Sequence, residues 1–334
     1  MKMNSGFKKI SSPKIWVLID NRTGNTNQSL ALASKLCNSY EVKKIKYNIL
    51  GVLPNFLLRF WPIYVSKALV IALKNQAAPD IIISSGRRIA PLALYLKRNL
   101  ENKKVKIVQI MHPNLNLKEF DLIILPHHDY CNNVLPNIVR VIGALNNVQK
   151  LLPEAKSLLK INYPEIKKFI TVIVGGSNKK YSFDTTDAEL LSNITRSISK
   201  NHSLPLFITF SRRTPRQVKA IFKKNFFWPN IFWDPEKNLL NPYPGIIGEG
   251  EYTITTADSI SMCSEAASTG KPVYIFCPKS FKLKKHKIFI QQLIDLGTVK
   301  MLDDNTTFLK KYNYVPLHEI DKVVAIIKKK LIDL

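Results

Sequence analysis

The chain has 334 residues, 46% of them hydrophobic, and a formal net charge of +26. That apolar content excludes a disordered chain, and the length suits two domains of ordinary size. The cysteines, Cys37, Cys131, Cys263 and Cys277, are scattered without a CxxC pair, which argues against a zinc site or a disulfide framework and fits a reducing cytosol.

The excess of lysine and arginine favours anionic partners: phosphate-bearing substrates, an anionic membrane face or nucleic acid. The charge is spread along the chain, with no Lys/Arg block longer than Lys328-Lys329-Lys330, so a dedicated nucleic-acid module is not expected. Met1 to Pro13 is polar and basic, reads as a loose tail and lacks the apolar core of a signal peptide. No uncharged run exceeds the 12 residues of Tyr47 to Leu58, too short to span a bilayer.

In chain order, Ile15 to Asp20 is a buried-type strand, Asn21 to Asn27 a polar loop, Gln28 to Leu36 a short helix and Glu41 to Tyr47 a second strand. Leu50 to Leu73 mixes aliphatic and aromatic residues with Arg59, Lys67 and Lys74, and Pro54 and Pro62 forbid one long helix. Two readings stand for it: a helix pair partly buried in its own domain, or an interfacial segment that meets an anionic membrane surface through Leu50 to Tyr64. Strands follow at Asp80 to Ser84, Val105 to Met111 and Phe120 to Leu125, with a helix from Pro91 to Asn99. Leu151 to Lys160 is helical and Asn162-Tyr163-Pro164 reads as a linker.

The rhythm then restarts. Strands are expected at Phe169 to Val174, Leu204 to Phe210, Asn230 to Trp233, Tyr252 to Thr255, Val273 to Cys277 and Lys300 to Leu302. Helices are expected at Asp187 to Lys200, after Pro215, after Asp258, at Phe281 to Leu296 and at Leu317 to Leu334, with Asn241-Pro242-Tyr243 as a loop. Strands alternating with helices imply α/β doubly wound parallel sheets. The domains are placed at 14–160, 168–315 and, for a closing helix, 316–334, with a cleft between the two sheets' domains.

Most of the strand-end loops carry groups that suit anions. Arg87-Arg88 and Arg212-Arg213 supply guanidinium forks, and Gly86 and Gly176 allow close approach of backbone N–H groups. The helix after Asp258, Ser259 and Ser261 is short, carries Ala266 and Ala267 for close packing, and leaves through Gly270 before Pro272. Its N-terminus just past a strand is a natural phosphate cradle, though the same pattern also makes an ordinary βαβ turn.

Several motifs together resemble the ELM1-type family, which holds bacterial glycosyltransferase-like proteins and plant mitochondrial-fission factors. They are Asp20-x-Arg22-x-Gly24-Asn25-x-x-Gln28, Ser85-Gly86-Arg87-Arg88-x-Ala90-Pro91, Phe120-Asp121 with His128-Asp129, Gly175-Gly176, Ser211-Arg212-Arg213-Thr214-Pro215, Asn241-Pro242-Tyr243 and the run from Asp258 to Val273. The resemblance spans about Ile15 to Leu302 and implies a GT-B-like architecture of two Rossmann-like domains facing a cleft. It also implies that Glu265 holds the ribose hydroxyls of a donor nucleotide. Gly176-Ser177-Asn178 departs from the glycine-proline pair common in bacterial members, and Pro235-Glu236-Lys237-Asn238 is unusually rich in lysine and asparagine.

The resulting expectation is a glycosyltransferase that uses a nucleoside-diphosphate sugar as co-substrate, with no other cofactor. Its acceptor would be a cell-envelope or lipid-linked molecule, and its location cytoplasmic and peripheral at the inner face of the membrane. Donor-phosphate contacts are expected from Gly176, Ser177, Ser211, Arg212, Arg213, Ser259, Ser261, Met262 and Glu265. The acceptor-side loops are expected to present Arg22, Gly24, Asn25, Gln28, Gly86, Arg87 and Arg88. Candidate bases, all placed in the first domain, are Asp20, His112, His128 and Asp129. No DxD occurs, so no metal is implied. A non-catalytic adaptor and a nucleotide-sugar epimerase are the alternatives.

Overall fold

The computed structural model describes residues 13–101, 104–131, 135–178, 181–227, 229–235, 241–278 and 280–332. The expected basic tail, apart from Pro13, and the stretch 236–238 lie outside these residues. The chain forms two compact units: 1–125 with 131–140 and 320–334, and 126–130 with 141–319.

The first unit holds strands β1 (Ile15–Ile19), β2 (Glu41–Lys44), β3 (Ile81–Ser85), β4 (Lys106–Ile110), β5 (Leu122–Pro126) and β6 (Ile138–Val141), the last two reaching the unit boundary. They make one sheet in the order β2-β1-β3-β4-β5-β6. Strands β1 to β5 pair in parallel. Strands such as Ile81–Ser85 are buried along their whole length because helices cover both faces. Those helices are α1 (Thr23–Leu36), α2 (Asn55–Leu58), α3 (Lys67–Lys74) and α4 (Ala90–Asn99). Trp16, Leu18, Ile82, Leu92, Leu96 and Ile107 centre the core.

Helix α1 begins five residues before the expected start, so the polar stretch from Thr23 to Asn27 is its first turns and not a loop. The Asp20 carboxylate accepts from the Arg22 amide (2.9 Å), and the Thr26 hydroxyl donates to the Asp20 carbonyl (2.9 Å), which fixes the early entry. Leu50 to Leu73 is broken as its prolines demand, into a 3-10 turn at Ile49–Val52, α2 and α3.

The second unit contains α5 (Val148–Asn162), β7 (Ile170–Val174), α6 (Thr185–His202), β8 (Leu206–Phe210), α7 (Arg216–Asn225), β9 (Ile231–Trp233) and α8 (Tyr243–Glu249). Then come β10 (Tyr252–Thr256), α9 (Ile260–Ala267), β11 (Val273–Phe276), α10 (Lys284–Asp295) and β12 (Lys300–Leu302). Its sheet runs β12-β11-β10-β7-β8-β9, all parallel. Helix α5, expected with the first domain, belongs to this unit and packs on α8. The closing helix α11 (Glu319–Ile327) belongs almost wholly to the first unit and ends in a π-type turn at Lys328–Ile332.

Each sheet has a place where the chain reverses its direction of growth. In the first unit β1 lies between β2 and β3; in the second, β7 lies between β10 and β8. Connections from neighbouring strands leave on opposite sides there, which opens a crevice at the strands' carboxyl ends.

Candidate functional site

At the β7/β10 reversal, Asp258 stands one residue past Ala257 and is buried. Its Oδ2 accepts from the Gly176 amide (3.0 Å) and from Arg213 Nη2 (3.0 Å), and its Oδ1 accepts from the Thr256 hydroxyl (2.6 Å). Thr256 in turn accepts from the Gly175 amide (2.8 Å). The His286 imidazole bonds the Asp258 main chain, and its pKa is pushed down, chiefly by burial. Sequence reasoning read Asp258 only as a helix starter. The structure makes it the hub of the loop cluster.

That hub reassigns the glycine pair. A Cβ on Gly175 would lie 1.9 Å from Asp258 Oδ1, and one on Gly176 2.1 Å from the Arg213 carbonyl oxygen. The glycines are required by packing of loop on loop, and the Gly176 N–H, expected to face a ligand, is donated to Asp258. Ser177 accepts from the Phe183 amide through its hydroxyl (3.1 Å). Ser211 accepts from the Arg213 amide (3.0 Å). Arg212 and Arg213 both reach the surface, Arg213 tethered by Asp258.

Helix α9 starts two residues on. Ser259 is its N-cap and accepts from the Met262 amide at 3.4 Å, while the Cys263 amide returns to the Ser259 carbonyl. The amides of Ile260 and Ser261 are the remaining donors of the first turn and sit at the positive end of the helix dipole. Gly270 adopts φ +80° at the exit, the left-handed conformation its position suggests.

Glu265 lies in the same helix and is half-buried. Burial raises its carboxyl to about 7, opposed by the Tyr243 hydroxyl beside it. Tyr243, the first residue of α8, is likewise half-buried, and its covered hydroxyl lies beside the Glu265 carboxyl with no partner of good hydrogen-bond geometry among the described residues. A carboxyl of α9, the helix that carries the first-turn amides, and a phenol of α8 thus stand together. In the sequence Tyr243 stands at the end of a presumed loop and within the Asn241-Pro242-Tyr243 motif, with no role assigned to it.

The candidate bases are divided between the two units. His128 and Asp129 fall in the second unit and not in the first domain as expected. His128 is buried edge-on to Phe289, with ring centroids 5.6 Å apart. Asp129 is buried and ion-paired with Lys285 at 2.6 Å. In the first unit, His112 holds the Asn114 amide on Nδ1 (3.1 Å), between two non-glycine residues of positive φ, Met111 and Asn114. Asp20 ends β1 and lines a cavity of about 600 Å³ with Arg88.

Of the remaining acceptor-side residues, Arg22 is the exposed N-cap of α1 and Gln28 donates to the Gly24 carbonyl (3.2 Å). Asn25 donates to the Ser85 carbonyl (3.4 Å) beneath Gly86, which has φ +82°. Arg87 is exposed, and its carbonyl accepts from Asn55 (2.6 Å).

Two parallel-sheet α/β units, each with its loop cluster at the sheet's reversal, define a GT-B-like protein. Among solved structures, the UDP-GlcNAc 2-epimerase from Methanocaldococcus jannaschii superposes with a TM-score of 0.60 at 13% identity, covering 95% of this chain and 99% of that one. Its complex with UDP-GlcNAc and UDP gives 0.53 at 12% identity, with the same coverage.

Within that class the chain belongs to the mitochondrial fission ELM1 family, whose model matches residues 23–331. An uncharacterized protein of Rickettsia prowazekii (strain Madrid E) is 43% identical over 94% of this chain and 97% of its own length. The mitochondrial fission protein ELM1 of Arabidopsis thaliana is 29% identical over 77% of this chain and 65% of its own. No helix among the described residues is long and apolar enough to cross a membrane.

Proposed function

We propose that the chain is a glycosyltransferase that takes a nucleoside-diphosphate sugar in its second unit and serves a cell-envelope or lipid-linked acceptor at the cytoplasmic face of a membrane. The observation that carries this reading is Glu265, on the helix whose N-terminus offers the Ile260 and Ser261 amides, paired with Tyr243 at the start of α8. An ionised carboxylate accepts from two vicinal hydroxyls, which suits a ribose. Amides and guanidinium groups suit a diphosphate.

In transfer, the acceptor oxygen attacks the anomeric carbon and the bond to the diphosphate breaks. Negative charge grows on the leaving group. Fixed donors at Ile260 and Ser261, with Arg212 and Arg213, oppose that charge without having to reorganise. No metal or further cofactor enters this reading. The fold likeness to an epimerase with bound UDP supports a uridine nucleotide as first candidate.

The test is a thermal-shift series with uridine and guanosine diphosphates. Wild type should be stabilised in proportion to RT ln(1 + [L]/Kd), and Glu265→Ala should lose most of the shift while remaining folded. No stabilisation by either nucleotide would overturn the donor assignment and favour a non-catalytic adaptor. Labelled donor incubated without acceptor separates transfer from epimerisation by its product.

A further inference from the structure

The cavity of the first unit has a lining that the donor reading does not use. Asp20, Lys44, Lys46, Tyr47, Asn48 and Arg88 meet there, at the carboxyl ends of β1 and β2 and beside the loop after β3. The Asp20 carboxylate is aimed by two neutral donors, the Arg22 amide (2.9 Å) and the Tyr47 hydroxyl (3.3 Å). Burial and the nearby Asp20 charge push the Tyr47 phenol far above its ordinary value, so it remains a donor. Arg88 is half-buried, and its Nε is fully covered with no hydrogen-bond partner among the described residues. The covered Nε is out of a ligand's reach, but Arg88 lines the cavity and carries a full charge there beside Lys44 and Lys46. One fixed carboxylate and these cations in the same cavity call for a ligand with both hydroxyls and an anionic group.

A second observation lies one residue further along. Tyr47 and Val65 form an antiparallel bridge that closes a loop, reinforced by Asn48 to the Tyr64 carbonyl (2.9 Å) and to the Ile63 carbonyl (2.7 Å). The tip of that loop is apolar and bare: Ile49 is 87% exposed, Val52 72%, Phe56 60% and Trp61 70%. Asn55, buried, donates to the carbonyls of Arg87 (2.6 Å) and Pro113 (2.7 Å) and so pins α2 to the strand-end loops. The loop is held out by these bonds, with Lys46 and Lys67 exposed at its two ends. Exposed aromatic and aliphatic groups flanked by cations on a chain of net charge +26 match an anionic lipid surface.

We propose that the first unit binds a lipid-linked polyol phosphate, with the hydroxylated phosphate headgroup in the Asp20–Arg88 cavity and the hydrocarbon against the Ile49–Trp61 tip. The Lys46 ammonium and the Arg88 guanidinium take the phosphate, and Asp20 takes a headgroup hydroxyl. Naming this ligand the acceptor rests on the transferase reading; its binding does not.

The experiment uses the full chain and sedimented vesicles of phosphatidylcholine containing either phosphatidylinositol or phosphatidylserine. The two additives are matched in charge and differ in the polyol. Binding should favour phosphatidylinositol by about tenfold. Arg88→Gln and the exposed Lys46→Gln should remove that preference, and Phe56→Ser with Trp61→Ser should weaken both vesicles by about tenfold or more. Equal binding of the two vesicles, undisturbed by Arg88→Gln and Lys46→Gln, would show charge adsorption alone and overturn the cavity assignment. Binding that ignores the Phe56/Trp61 pair would overturn the tip. Soluble inositol 1-phosphate should stabilise wild type and not Arg88→Gln; no shift in either counts against the cavity. Thermal shifts with uridine diphosphate on the same variants keep the two proposals apart. A nucleotide shift without vesicle preference removes only the lipid proposal, and the reverse removes only the donor proposal.

Discussion

At the β7/β10 reversal the Arg213 charge meets the buried Asp258 carboxylate, which also takes the Gly176 amide and the Thr256 hydroxyl. At the β1/β3 reversal Asp20 takes neutral donors, and Arg88 lines the cavity with no acceptor for its Nε among the described residues. The two crevices occupy equivalent places in their sheets and divide the work differently. The second unit uses its charges to lock loops to one another and leaves a helix N-terminus and a carboxylate–phenol pair for ligand. The first leaves the charges themselves for ligand. Substitutions at the locked crevice should therefore act on stability, and those at the open one on binding.

The largest expected difference is between two aspartates. Asp258→Ala leaves the Gly176 amide and the Thr256 hydroxyl without their acceptor while the exposed Arg213 turns to water, and should cost about 2–4 kcal/mol. Asp20→Asn keeps shape and both neutral neighbours, and should stay within about 1 kcal/mol of wild type. Chemical denaturation of the two variants checks this. Equal losses would erase the distinction between a locked and an open crevice.

The second contrast is one of pH. Burial raises Glu265 to about 7 from the ordinary 4.5, so the folded state holds a proton that the unfolded state releases. The associated stability is complete below about 4.5 and is lost as pH rises through about 7, to a total of at most about 3 kcal/mol. Glu265→Gln should be insensitive to this change and gain on wild type between pH 5 and pH 7.5. Nucleotide affinity should move the opposite way in wild type, rising with pH as the carboxylate ionises, and be flat in the variant. A parallel pH dependence in both proteins would remove Glu265 as its source.

How much of this was legible in the sequence follows from what each residue answers to. Strands buried on both faces are dominated by aliphatic and β-branched residues, so Ile81–Ser85 and Ile170–Val174 announce themselves. Helix α8 does not, because Pro244 and Gly245 read as turn residues. Pro244 is tolerated in the first turn, and a Cβ on Gly245 would lie 2.4 Å from the Ala155 carbonyl oxygen of α5, so the glycine serves close helix packing. The early turns of α1 are polar because they sit at the crevice, which hid them as a loop. Asp258 was hidden for another reason: its partners come from residues 176, 213, 256 and 286, and only the folded sheet brings them together. Strand β6, Ile-Val-Arg-Val, carries a charged residue at its centre and sits between loops, which hid it.

A smaller effect separates two glycines. Gly176→Ala drives a methyl into the Arg213 main chain, which cannot rotate away, and should cost roughly 2–3 kcal/mol. Gly86→Ala meets the end of the Asn25 side chain at 2.4 Å, which can move aside, and adds the strain of φ +82° at about 1 kcal/mol. Thermal melts rank the two. The opposite order would mean that the Gly175–Gly176 loop is looser than its packing implies.

The smallest effect on folding is expected where the proposed effect on binding is large. Trp61 is 70% exposed, and its ring touches Phe60 at 6.2 Å between centroids. Trp61→Ser removes little buried surface and should shift stability by no more than about 0.5 kcal/mol. An apolar side chain kept in water gains nothing from folding, whereas it gains on entering a bilayer boundary. If the melting temperature falls by several degrees in Trp61→Ser, the tip is packed against protein in solution, and the lipid proposal loses its surface. If the melt is unchanged while vesicle binding drops, the first unit's loop is held out for an apolar partner, and the contrast with the locked crevice of the second unit extends from charges to hydrocarbon.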